Sequence, residues 1–291
     1  MPISPDFSSR LQTPEEAASS SAITMFGYGA SGTGKTFFAG TIGPEGLIIS
    51  VGDGHNTLAS PTFQNIVKAP PKLIKVKETY NKETGIFDSA QAFDEVSDIM
   101  DWAIDSGKFK TICIDEMTAL QKVARNKALE VNLATGKSKS LETAKRSGYL
   151  SALIQDFGAE MSMIEQFIAT YVSNCSVKQI NLILLGHERY VFKKLGDKIG
   201  DQEVLDKVRL GITGKTFPDT IPNYFDLVWR FEVLDANPKP IFRARTVGND
   251  SLTAKTRWGG LFEQYVKSPN FLEIEAKVKS CIKLPNQTTT G

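Results

Sequence analysis

The sequence predicts an α/β domain in which a central, mostly parallel sheet is flanked by helices and antiparallel strands are added in the C-terminal third. Three observations lead there. Short apolar runs of strand length alternate with longer segments of helical period, as βαβ units require. The runs ICI (112–114) and LILLG (182–186) are continuously apolar, the pattern of strands buried on both faces. After residue 220 apolar runs succeed one another with no helical segment recognised between them.

Each element follows in order. Residues 1–22 are rich in Ser, Pro and acidic side chains and hold too little periodic apolar content to offset the entropy of ordering, so a flexible N-terminal arm is expected. AITMFGY from Ala22 reads as a strand that enters a glycine-rich turn and then a helix, KTFFAGTI, ending near Gly43 and Pro44. GLIISV (46–51) and LIKVK (73–77) are further strands, SAQAFDEVSDIMDWAIDSG (89–107) is an amphipathic helix, and KTICIDE (110–116) is a buried strand. A long helix over MTALQKVARNKALEVNL, a polar break at 134–148 and a second helix to about Ser173 come next. NLILLGHE (181–188) is another buried strand, followed by a charged stretch from Arg189 to Lys215. YFDLVWRFEVLD, IFRARTVG and AKTRWGG make the final third β-rich and, by this reading, antiparallel. The tail 285–291 has no packing signal, which leaves one core domain over 23–284 without internal repeats.

Composition excludes several classes. With 34 Lys+Arg against 33 Asp+Glu the net charge is +1, so polyanion binding has to come from local patches and not from the overall field. No apolar run reaches the roughly 18 to 20 residues that span a bilayer, and no leader pattern opens the chain, so a soluble cytoplasmic protein without membrane contact is expected. Cys113, Cys175 and Cys281 are far apart, and with two histidines they form no zinc-ligand spacing. Reduced thiols follow from that pattern.

The residues that carry chemistry begin at Gly29. Gly29-Ala30-Ser31-Gly32-Thr33-Gly34-Lys35-Thr36 matches G-x-x-x-x-G-K-[ST] between a strand and a helix, the context that this phosphate-binding loop needs. Small residues let the backbone wrap a phosphate, Lys35 reaches the β and γ oxygens, and Thr36 ligates Mg²⁺. Asp115, at the end of an apolar strand, is the expected second metal group. The cofactors implied are ATP and Mg²⁺. Hydrolysis needs a base for the attacking water, and two residues qualify: Glu116, beside the metal aspartate, and Asp53, at the end of the strand that follows the loop helix. His187, at the end of the NLILLG strand, is placed to sense the γ-phosphate, whereas His55, in a turn, is not assigned a catalytic role.

From residue 23 to 275 the chain resembles the RecA-core ATPases, most closely the small phage-encoded Sak-four group of RecA-like single-strand annealing or recombination proteins. The resemblance rests on GASGTGKT, the ICIDE strand, LILLGHE, ITGKTFPDTIPNYFDLVWRF (212–231) and AKTRWGG (254–260). It implies that Lys255 and Arg257 form a Lys-x-Arg pair reaching into a neighbouring subunit's nucleotide, hence head-to-tail assembly into a filament or ring. The family more often has Glu where Asp53 stands, and Asp115 is followed here by Glu instead of a small hydroxyl residue. An AAA+ core, the competing class, would continue into a helical lid; this chain continues in β.

Two polar stretches follow the buried strands, as DNA-binding loops do in RecA-like proteins. The first holds Lys137, Lys139, Lys145 and Arg146 against Glu142. The second begins Arg189, Tyr190, Phe192, Lys193, Lys194 and Lys198 and continues through Lys207, Arg209 and Lys215, with Asp197, Asp201, Glu203 and Asp206 in opposition. Lysines neutralise phosphates and aromatics stack on bases, a mixture suited to single strands. The implied function is ATP-dependent single-stranded DNA binding that promotes annealing or strand exchange in phage recombination or replication, with a single-strand binding protein as a further partner. Two alternatives stay open: a motor or loader that remodels a protein partner, and a nucleotide-gated binding module with little turnover.

Overall fold

The computed structural model describes residues 13, 22–76, 80–81, 86–87, 90–136, 152, 154–194, 203–214, 216–236 and 239–282. Its sheet strands are β1 (Thr24–Gly29), β2 (Gly46–Val51), β3 (Lys72–Val76), β6 (Thr111–Asp115), β7 (Asn181–Lys194), β8 (Glu203–Leu210), β9 (Leu227–Leu234), β10 (Ile241–Arg245), β11 (Lys255–Thr256) and β12 (Tyr265–Lys267); β4 (Tyr80–Asn81) and β5 (Ile86–Phe87) form a separate two-stranded pair. The helices are α1 (Lys35–Ala39), α2 (Pro61–Ile66), α3 (Ala90–Asp105), α4 (Met117–Ala134), α5 (Ile154–Val177), α6 (Phe217–Thr220) and α7 (Phe271–Ile282).

The sheet order is β12-β10-β9-β1-β7-β6-β2-β3, with β8 on β7 and β11 on β9. From β9 to β3 every neighbouring pair is parallel; β10, β12, β11 and β8 add antiparallel strands. This is the α/β architecture that the sequence predicts and that the RecA-like resemblance implies. Two apolar clusters cover the sheet. One joins Phe26, Tyr28, Ile114 and Leu184 to Val96, Met100, Leu120, Val123, Ile164 and Ile168 of α3, α4 and α5. The other joins Met25, Ile183, Trp229 and Phe231 to Phe38 of α1 and to Phe271, Ile274 and Val278 of α7. Both faces of β1 are therefore buried, which is why its run carries no polar alternation.

Three features differ from the reading of the sequence. β9 is parallel to β1, Phe26 standing opposite Val228, so from β9 onward only β10, β11 and β12 are antiparallel. The stretch after His187 is no simple polar loop: β7 continues to Lys194 and pairs with β8 as a long hairpin, while residues 195–202 and 215 lie outside the described residues. α7 was not predicted. Its Phe271, Ile274 and Val278 follow a helical period onto the core, and the Asn270 side chain accepts from the amides of Leu272 (3.0 Å) and Glu273 (3.4 Å) at its start. Most of the polar break at 134–148, with Lys137, Lys139, Lys145 and Arg146, also lies outside the described residues, as does Lys198.

Candidate active site

The loop from Gly29 to Thr36 joins the buried end of β1 to α1. Gly29 has no room for a side chain, since a β-carbon would stand 2.3 Å from the Phe231 carbonyl oxygen of β9. Gly34 turns the chain into α1 with φ 88°, a left-handed conformation that suits glycine. Thr33 Oγ1 donates to the Ala30 carbonyl at 2.8 Å. The Lys35 ammonium donates to the carbonyls of Gly29 (2.9 Å) and Ala30 (2.7 Å), so it already lies along the loop. Burial lowers its pKa, and Glu116 and Asp115 oppose that shift.

Thr36 and Asp115 converge. A β-carbon on Gly54, in the turn after β2, would lie 3.4 Å from Thr36 Oγ1 and 3.5 Å from Asp115 Oδ2. Asp115 is 6% exposed, and its Oδ2 is buried without a hydrogen-bond partner among the described residues. Burial pushes its carboxyl upward, and the neighbouring Thr36 hydroxyl and Lys35 ammonium act in the other direction. An orphaned buried carboxylate oxygen beside a hydroxyl fits a hard divalent cation. No cluster of three or more His, Cys, Asp or Glu among the described residues could cage an ion alone, so Mg²⁺ would complete its shell with water and phosphate oxygens, as it commonly does.

Glu116 follows Asp115 at the junction of β6 and α4, and their peptide bond is cis. β7 lies beside β6, Asp115 facing Leu185, and on its other side His187 stands level with Gly29. His187 Nε2 is 2.8 Å from Glu116 Oε2, and the His187 amide donates to Thr118 Oγ1 of α4 at 3.2 Å. Burial raises the Glu116 pKa; His187 opposes this and Asp115 adds to it. Asp53 sits differently. Its side chain is 85% exposed and paired at 2.6 Å with Lys75 of β3, whose ammonium is also 3.4 Å from His55 Nε2.

The remaining candidates lie apart from the loop. Lys255 and Thr256 pair with Val228 and Leu227, near the start of β9, whereas the phosphate loop begins level with Phe231. Three strand residues separate those levels, about 10 Å. Arg257 lies beyond, its guanidinium 2.8 Å from Asp226 Oδ1 and 3.1 Å from the Asn223 carbonyl. Burial and the charge of Arg257 lower the Lys255 pKa. On the hairpin, Tyr190 and Phe192 are exposed and face Val208 and Leu205 across the strands, while Arg189, Lys193 and Lys194 share the same strand. Lys193 pairs with Asp206 at 3.0 Å.

A network missed in the sequence supports this end of the sheet. Arg230 of β9 bonds Glu188 at 2.8 Å and Glu232 at 3.1 Å, Glu232 meets Arg243 of β10 at 2.5 Å, and the Tyr190 hydroxyl donates to Glu188. No local pattern announces it, because its members come from three strands.

Fold and site together define a P-loop ATPase domain: a mostly parallel sheet with a phosphate loop after its first strand and a buried carboxylate strand two places away. The chain belongs to a family described as AAA domain, whose model, AAA_24, matches residues 21–258. It is also similar to the solved structure of a KaiC-like protein from the hyperthermophilic archaeon Pyrococcus horikoshii OT3, at 10% identity and a TM-score of 0.41, over 86% of this chain and 90% of that one. No curated protein matches the sequence. No helix among the described residues is long and apolar enough to cross a membrane.

Proposed function

We propose that this domain binds MgATP at residues 29–36, hydrolyses it with Glu116 as base, and binds single-stranded DNA on the β7–β8 hairpin, acting in annealing or strand exchange. The observation that carries the hydrolytic reading is the Glu116–His187 contact beside the unpartnered Asp115 oxygen. Lys35 and Thr36 would hold the phosphates and metal, and Mg²⁺ supplies charge neutralisation of the β and γ oxygens when bound. In this reading Glu116 takes the proton of the attacking water and His187, 2.8 Å from it, orients its carboxylate. Asp53 is less suited to that role, because Lys75 already neutralises it at the rim.

The DNA reading is supported by the hairpin, where the exposed Tyr190 and Phe192 are flanked along one strand by Arg189, Lys193 and Lys194. The phage recombination or replication role, and a single-strand binding protein as partner, rest on the Sak-four resemblance. Head-to-tail assembly rests on Arg257: it is too far from its own phosphate loop to reach it, so any action of Lys255 and Arg257 on a nucleotide falls on a neighbour's. Membership of an AAA domain family favours a second reading, a motor or loader that remodels a protein partner.

Steady-state ATP hydrolysis with and without single-stranded DNA, at low and moderate salt, separates them, with Lys35→Ala as the blank. Salt-sensitive stimulation absent from the blank supports the DNA reading. No stimulation and no retention of DNA in a direct binding assay would leave the protein-remodelling reading.

A further inference from the structure

We propose that Phe242 is the platform on which the nucleobase stacks, so that the site holds purines by surface contact and without hydrogen-bond readout. The inference rests on the reading that residues 29–36 bind a triphosphate. Ring carbons of Phe242 lie 3.2 and 3.8 Å from where a β-carbon on Gly34 would stand, one residue before Lys35. Along β10, Phe242 shares a face with Ala244, which is buried in the cluster under α1 and α7; the intervening Arg243 turns to Glu232 and Tyr265. Phe242 therefore belongs to the sheet face that carries the phosphate-loop helix.

Phe242 is 41% exposed, and its cross-strand neighbour Val233 is 37% exposed. The backbone that carries the ring is paired, since the Phe242 carbonyl accepts from the Ser268 amide at 2.8 Å beside β12. A triphosphate fixed at Lys35 and Thr36 must send its nucleoside over the rim of the loop, and a half-open aromatic ring in contact with that rim presents a flat apolar surface to it. Among the described residues, Gly34 at the ring and Val233 across the strands have no side-chain donor or acceptor. Stacking on such a surface favours the larger purine π-face and is indifferent to whether the base is adenine or guanine.

The test measures direct binding of ATP, GTP, CTP and inorganic tripolyphosphate to the wild-type chain and to Phe242→Ala, Phe242→Leu and Phe242→Trp. Wild type should bind ATP and GTP alike and CTP less well. Phe242→Ala should weaken ATP and GTP about tenfold or more while tripolyphosphate stays within about twofold. Phe242→Leu keeps an apolar cover on Gly34 but lacks the flat face; it should show the same loss and serves if the alanine variant does not fold. Phe242→Trp should retain ATP binding, with indole fluorescence that responds to ATP and not to tripolyphosphate. Unchanged ATP affinity in both the alanine and leucine variants, or an equal loss for tripolyphosphate, overturns the proposal. Failure of the wild type to bind either ligand would instead show that the triphosphate reading of the loop is wrong, and the proposal would fall with it.

Discussion

His187 within β7 and Glu116, the residue after β6, meet at 2.8 Å, although 70 residues separate them in the chain. Neighbouring parallel strands bring both side chains to the same end of the sheet, beside Asp115 and within the field of Lys35. If Glu116 is the base, Glu116→Gln should keep ATP binding and lose roughly two to four orders of magnitude in turnover. His187→Ala should do less damage and leave a pH signature. Burial raises the Glu116 carboxyl and His187 counteracts that rise, so without the histidine the carboxylate form is reached only at higher pH. The acid limb of the pH–rate profile should move upward; an unmoved limb would separate His187 from the base.

Arg257 offers a test of assembly. Glu116→Gln and Arg257→Ala proteins, each inactive alone, should regain turnover when mixed, because a mixed interface can pair an intact base on one protomer with an intact arginine from its neighbour. Mixtures as inactive as their components, although both variants assemble, would argue that Arg257 serves only its own Asp226.

The thiols should divide by burial. Cys113 and Cys175 are buried, and burial holds the Cys113 thiol well above its ordinary value and pushes Cys175 up to about 12; Cys281 on α7 is exposed. A thiol reagent at pH 8 should therefore titrate one cysteine quickly in the native protein and the other two only after denaturation. Rapid reaction of all three would contradict the packing of β6 and α5.

The α4–α5 contact is a stability prediction. Glu160 of α5 is fully buried and paired at 2.6 Å with Arg125 of α4, whose guanidinium also lies over Phe157. Arg125→Met strands that carboxylate and should cost about 3 kcal/mol in urea unfolding. The double variant Arg125→Met with Glu160→Leu should recover most of the loss, since an apolar pair of similar volume needs no charge partner. A small cost in the single variant would mean that the carboxylate finds another partner or takes up a proton.

Much of the fold was legible from local pattern. GLIISV is β2 to the residue, and MTALQKVARNKALEVNL is α4 with one further residue at its end. The helix expected to finish near Ser173 runs on to Val177, and α7 went unread although Phe271, Ile274 and Val278 keep a helical spacing. The parallel pairing of β9 could not be read, because register with β1 is set across some two hundred residues by packing against Phe38 and Phe271. Nor could Lys75 be foreseen as the partner of Asp53, for it comes from another strand.

By itself the sequence determined the phosphate loop, the α/β class and the strand that ends in Asp115, because backbone conformation and burial pattern are encoded within a few consecutive residues. Only the tertiary structure decided that Thr36 converges with Asp115, that His187 faces Glu116, that Phe242 lies over Gly34 and that Arg257 stands away from its own site. Those relations depend on which strands become neighbours and in what register. That choice is made by the burial of whole sheet faces, to which each residue contributes only a small part.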